Sequence, residues 1–317
     1  MEQLALPSIT SMLGNEFSIG ICAADRAAKL DELLGTIEGE AYPAGFLLKS
    51  IIVVGSGLDA GASELLRDRR TKISNFIFIE EPVRKGKAEA INRILDEYRG
   101  SFLVLVNSDA HPEPGAIAQL LAAIAGDRNV GMVSASPVLG YTPGITGAVL
   151  RLMWNVHNEC LMELNDEGKN NHCCDELIVL RSGAVRRLPQ DMVNDGAFLA
   201  GSAYRAGFSI QFCAAAHVQI DVPSRIYDIV KQRRRILYGH AQIVSSVGQA
   251  PRTLESMVFT NPKLGLSILV RTLARSPSLI LALPVAIVGE FISAIGAAYD
   301  RITSRSHVPW DRVAFRN

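Results

Sequence analysis

One stretch limits the fold more than any other: Ser101 to Leu121, SFLVLVNSDAHPEPGAIAQLL. Phe102 to Val106 is an apolar run of strand length, rich in Val and Leu. A strand without polar alternation is buried on both faces, as in a parallel sheet flanked by helices. The run breaks at the polar turn Asn107-Ser108-Asp109-Ala110-His111 and restarts as a helix after Pro112 and Pro114. Ligands of open α/β sheets sit beyond the carboxyl ends of such strands. Asp109 and His111 fall there, and a carboxylate and an imidazole at that spacing can grip one divalent cation. Oxygen ligands suit Mg²⁺ or Mn²⁺, and imidazole tilts the choice toward Mn²⁺. The same aspartate could instead cap the following helix, and the residues alone leave both roles open.

The flanking sequence repeats the pattern. Phe17–Cys22, Ile51–Val54 and Phe76–Ile79 are strand-like, and helical spacing marks 27–37, 62–70 and 87–98. Alternation of this kind implies βαβ units and a mostly parallel sheet. Gly55, Gly57 and Gly61, with Glu80 further on, also fit a dinucleotide-binding turn with its ribose acid, which keeps an NAD(P)-dependent oxidoreductase as an alternative. Against it, the turn follows the second strand and not the first. Arg84-Lys85-Gly86-Lys87 places three cations around a glycine at a helix start, where backbone N–H groups favour an anion.

Charge and cysteine usage narrow the class. Lys+Arg and Asp+Glu are each 32 in 317 residues, so nothing pulls the chain toward nucleic acid. Five cysteines, with Cys173 and Cys174 adjacent, do not form a disulfide framework and imply a reduced, cytoplasm-facing protein. His172-Cys173-Cys174 has no second Cys/His pair at zinc spacing. The N-terminal MEQLALPSITSMLGNEF lacks a basic start and a sustained apolar core, unlike a signal peptide.

Six pieces between Phe17 and His240 together resemble the family 2 glycosyltransferases, inverting enzymes of GT-A nucleotide-sugar fold. They are FSIGICAADR, IIVVGSGLDAGASELL, RKGKAEAIN, VNSDAHPEP, LPQDMVNDGAFLAGSAYRAGFSIQF and QRRRI, in the family's order. The resemblance implies a donor site built from Ala23, Asp25, Ser56, Arg84, Lys87, Asn92, Ser108 and Asp109, with Gln232, Arg233 and Arg235 closing over the diphosphate and Arg181 lining the sugar. It implies Mn²⁺ or Mg²⁺ held by Asp109 and His111, with His217 as a third ligand. It makes Asp195 the general base, with Asp191 its nearest competitor; by itself either Asp195 or Asn194 would be read as a helix cap. The region 147–176 would face the acceptor.

Three departures stand out. Gly55 and Ser56 replace the family's acidic pair at the nucleobase, so a non-catalytic nucleotide-sugar binder remains an alternative. His111 replaces the second Asp of Asp-x-Asp. Ile236 replaces the Trp associated with processive polymerases, which implies single addition.

The C-terminal end is apolar. Leu264–Leu273 carries Arg271, and 277–299 reaches roughly 33 Å as a helix against a hydrocarbon core of about 30 Å. Pro284 and Glu290 interrupt it, and Arg271, Arg275, Arg301 and Arg305 flank both ends, giving no orientation. A single span, an interfacial hairpin and an oligomer-forming helix pair all fit, as does soluble core. Trp310 could lie at an interface, and Arg233–Arg235 could face a membrane. The expectation is a GT-A catalytic domain over 1–250 and a membrane-associated helical region over 251–317, the catalytic part cytoplasmic. The donor would be a UDP- or GDP-sugar and the acceptor a lipid-linked or glycan hydroxyl in cell-envelope glycan synthesis, with homo-oligomerisation open.

Overall fold

A computed structural model describes residues 15–24, 27–305 and 307–308. Asp25 and Trp310 lie outside the described residues. The elements run β1 Glu16–Ala23, α1 Ala27–Gly39, β2 Leu47–Ser56, α2 Ala60–Lys72, β3 Phe76–Glu81, α3 Lys87–Glu97, β4 Phe102–Asn107, β5 Ala110–Pro112 and α4 Ala116–Gly126. They continue with β6 Val130–Leu139, α5 Gly144–Asp166, β7 Leu177–Arg181, α6 Asp195–Arg205, β8 Ser209–Ile220 and α7 Ile226–Val247. The C-terminal part is α8 Leu254–Thr260, α9 Pro262–Arg275, a 3₁₀ stretch Pro277–Ala282 and α10 Leu283–Ile302.

The eight strands form one mixed sheet in the order β3-β2-β1-β4-β7-β6-β8-β5. The first four are parallel, as alternation of strands and helices requires. β7 then enters antiparallel to both β4 and β6. That reversal sets Leu177, at the start of β7, beside Val106 near the end of β4. Residues just before β7 therefore reach the carboxyl edge of the parallel block. The polar turn expected through His111 is shorter than the sequence implies. Ala110–Pro112 leaves it as β5 and pairs antiparallel with β8, because β8 has a free edge to satisfy.

Helices cover both faces of the sheet. Leu30, Leu33 and Leu34 of α1 and Ile117, Leu120 and Leu121 of α4 fill one side against Ile19, Val104 and Val179. Ile91 and Ile94 of α3 and Leu199 and Ala200 of α6 fill the other against Ile52, Leu103 and Leu105. Gly20 admits α3 at this point: a Cβ there would stand 2.4 Å from a methyl of Ile94. A third apolar cluster joins α5 to the C-terminal helices through Val149, Leu152, Val156, Ile229, Met257, Ile268 and Leu279. Thr253 and Ser256 close a capping box on α8, and Asn261 caps α9 ahead of Pro262.

Candidate active site

A small cleft, with room for about one water, lies at the carboxyl edge of β1 and β4. Gly20, Cys22, Lys87, Ile91, Asn107, Asp175 and Asp195 are among its lining. Lys87 is the first residue of α3, after Gly86 at φ 100° with no side-chain cap. Its ammonium lies 2.7 Å from Asp175 Oδ2 and 2.7 Å from Asp195 Oδ2. One cation thus bridges a buried acid, Asp195, and a half-buried one, Asp175.

Asp195 opens α6 but does not cap it. Asn194 does, its side chain accepting from Ala197 N at 3.1 Å. The neighbouring carboxylate is therefore free for other work. Gly196 allows the crowding, since a Cβ there would stand 2.3 Å from Cβ of Asp175. Gly239 of α7 packs as closely on Asn194, and Arg235 on the same helix donates to Val193 O at 3.0 Å.

Electrostatics differ between the two acids. Burial raises the pKa of Asp195; Lys87 opposes that rise and Asp175 adds to it. Burial acts on Asp175 too, but the charge and hydrogen bond of Lys87 outweigh it and hold that carboxyl below its usual range. Burial works against the charge of Lys87, and the two carboxylates hold it protonated. Glu176 is pushed to about 8 by burial and by the charges of Asp175 and Asp109, and it accepts from Asn107 Nδ2 at 2.6 Å. Burial drives the Cys22 thiol to about 12 and raises Cys173 and Cys174 well above the usual range, so these thiols are not nucleophiles.

The sequence-derived residues fall into groups. Lys87 and Asp195 share the cleft. Ala23 and Ser56 stand side by side at the ends of β1 and β2, Ala23 pairing with Gly55. The Ser56 hydroxyl donates to Glu81 Oε2 at 2.7 Å, so a carboxylate from β3 arrives where the acidic pair is missing. The stem of Arg84 lies across Gly57. Ser108 and Asp109 form the turn between β4 and β5.

The divalent metal that such enzymes use can be tested against the donors present. His111 pairs with Gln219 of β8, so His111 and His217 project on one face of that strand pair. His217 Nδ1 is buried without a partner. Asp109 lies close enough to Glu176 to add to the rise in its pKa. Among the described residues no three His, Cys, Asp or Glu side chains gather as a preformed metal site. The donors fit an ion bound through one or two side chains and completed by substrate phosphates.

Three of the expected residues are engaged elsewhere in the structure. Arg181 does not line a sugar. It ends β7 opposite Phe102, at the far edge of the sheet, where its guanidinium holds the carbonyls of Val130, Ile124 and Asp127. Asn92 is a buried brace, bonding Leu188 N at 2.8 Å and Leu188 O at 2.9 Å. Arg233 turns away from the cleft to Glu255 and Glu290. Glu80, the ribose acid of the dinucleotide alternative, sits on the surface 2.6 Å from Arg67. Asp175, Glu176 and Glu81 were not assigned from sequence. The one signal for the first two was an acidic pair directly before an apolar strand.

Residues 15–239 match the model of the glycosyltransferase-like family 2. The chain belongs to that family. No curated protein matches it. Among solved structures it is similar to the mannosyltransferase PcManGT from Pyrobaculum calidifontis in complex with GDP-Man and Mn²⁺, with TM-score 0.62 and 18% identity over 93% of this chain and 89% of that one. It is also similar to S. aureus TarS, with TM-score 0.50 and 15% identity over 72% of this chain and 40% of that one. The fold is the GT-A-like α/β architecture of these transferases, and the chain is a glycosyltransferase.

Proposed function

We propose that the chain is a metal-assisted, inverting transferase moving one sugar from a nucleoside diphosphate to a lipid-linked or membrane-proximal glycan hydroxyl. The observation that carries this reading is Asp195, buried at a helix start and bridged by Lys87 in the cleft beside Asn107.

The acceptor oxygen attacks the anomeric carbon from the side of Asp195, whose carboxylate takes the hydroxyl proton. The new C–O bond forms as the bond to the diphosphate breaks, and the electron pair leaves with the phosphate oxygen. The N–H groups at the start of α3, which has no side-chain cap, favour the diphosphate, with Arg84 just before the helix. An arriving diphosphate competes for Lys87, which releases Asp195 as the leaving group is gripped. Asp175 keeps Lys87 within reach of both. Asp109 and His111 are the residues that would hold Mn²⁺ or Mg²⁺, with His217 beside them. When bound, the ion neutralises charge gathering on the diphosphate. The Ser56–Glu81 pair takes the place of the missing acids at the nucleobase.

A donor screen tests this reading. UDP- and GDP-sugars are incubated with the full chain in detergent, with and without Mn²⁺, and nucleotide release is followed. Release with at least one donor is expected, lost in Asp109→Ala. Release by no donor, or release indifferent to Asp109→Ala, contradicts it.

A further inference from the structure

Exposed apolar side chains are not scattered over this molecule. Among the described residues, thirteen of the twenty large exposed ones lie between Val258 and Ile302. They include Phe259 of α8 at 87% exposure, Leu281 at 79% and Phe291 at 67%. On α10, Val288, Ile292, Ile295, Tyr299 and Ile302 recur at spacings of four and three and stand on one stripe. Every exposed residue from Pro284 to Ala298 is apolar. A patch of this continuity marks an interaction surface.

The opposite stripe of α10 is polar and already occupied. Glu290 pairs with Arg233 and Asp300 with Arg234, both on α7. Ser293 Oγ, between them, donates to Val230 O at 3.1 Å. Gly296 admits the Arg234 stem, which would lie 2.8 Å from a Cβ there. α10 is thus fixed along the length of α7, which carries Lys231, Gln232, Arg233, Arg234 and Arg235 in succession. By length and composition 277–302 could cross a bilayer. Crossing in this arrangement would draw those α7 residues into hydrocarbon, or else strip Arg233 and Arg234 of their partners.

Charge selects the partner. The three acids of 254–305 are Glu255, Glu290 and Asp300, and all pair with arginines of α7. The bases Lys263, Arg301 and Arg305 are exposed around the apolar stripe, as is Arg275, which pairs with Glu159 of α5. Two such faces brought together would set like charges against each other. An anionic lipid surface complements both the stripe and its rim.

We propose that the outward faces of α9, the 3₁₀ stretch and α10 lie flat in the headgroup region of an anionic bilayer, as an interfacial element and not a span. α7 then links membrane and chemistry: Arg233 and Arg234 hold α10, while Arg235 reaches Val193 beside the proposed base. This deepens the acceptor reading, but it can be tested without donor, metal or turnover, so the two fail separately.

The test uses the full chain, freed of detergent, with vesicles of phosphatidylcholine alone or mixed with phosphatidylglycerol. Sedimentation with the anionic vesicles is expected, and Phe291→Ser/Ile295→Ser should weaken it at least about tenfold. Ser278→Cys and Ile302→Cys, each probed with an impermeant maleimide outside sealed vesicles, should both react. Protection of one end would mean a span and overturn the proposal. So would absent vesicle binding, binding unchanged by the double variant, or a solution dimer that the double variant dissolves without altering vesicle binding.

Discussion

Two ion-pair clusters in this molecule use the same chemistry to opposite ends. At the cleft, Lys87 bridges Asp175 and Asp195 at 2.7 Å each, across a gap that opens to a pocket. Beneath α7, Arg233 bridges Glu255 and Glu290, and Arg234 holds Asp300. The first joins elements of the catalytic sheet edge, where an incoming anion can compete for the cation. The second joins α7, α8 and α10 beside an apolar cluster, away from the proposed diphosphate site. A bridging cation is a switch when its surroundings admit a rival anion, and a clamp when they do not.

The comparison breaks most sharply at Lys87. Lys87→Met should lower transfer about a hundredfold, because the diphosphate loses a partner and Asp195 loses its orienting charge. It should also move the acidic limb of the pH–rate profile upward. The sign follows from the cation: Lys87 holds the Asp195 pKa down, so without it the base protonates at higher pH and activity is lost earlier as pH falls. A full pH profile of both proteins decides this. Arg233→Met should leave the cleft intact and cost about 2 kcal/mol in urea unfolding, since it strands two carboxylates. Glu255 is 37% exposed, so the full penalty of a buried pair does not apply.

A smaller effect sharpens the donor side. Glu81→Gln keeps the hydrogen bond to Ser56 but removes the charge. A donor KM raised about tenfold with kcat unchanged would mark a nucleobase contact made equally in ground and transition states. A separate effect falls on acid stability. Burial lowers His157 and His240 to about 3 and His172 to about 4. Each ring stays neutral in the folded state, whereas unfolding lets it protonate near pH 6.5. The folded state is therefore fully favoured above about 6.5 and loses ground as pH falls. Melting at pH 5 should come several degrees below that at pH 7, with Asp195→Asn following the same trend.

Much of this was legible in the residues, for particular reasons. Phe102–Val106 could only be a doubly covered strand, and its neighbours repeated the pattern, so the parallel block β3-β2-β1-β4 followed. The residues alone left Asp195 and Asn194 as equal cap candidates, and only the structure gives the cap to Asn194. The antiparallel entry of β7 was not legible, because an apolar run carries no mark of its direction. With it went Asp175 and Glu176, and the misplacing of Arg181 at the wrong edge. The Arg233-Arg234-Arg235 run misled for a helical reason. Successive residues diverge by about 100°, so three adjacent arginines serve α8 and α10, Asp300 alone, and the Val193 carbonyl in turn. Glu81 was hidden because the missing acids of β2 are replaced from the neighbouring strand.

Asp195→Asn is the most direct measurement of the central claim. Donor binding by calorimetry and sugar transfer are measured on the same preparation. The account expects donor affinity within about threefold of the native chain and transfer reduced roughly a thousandfold, the loss of a positioned base. Transfer within tenfold of native, with donor binding intact, would contradict it.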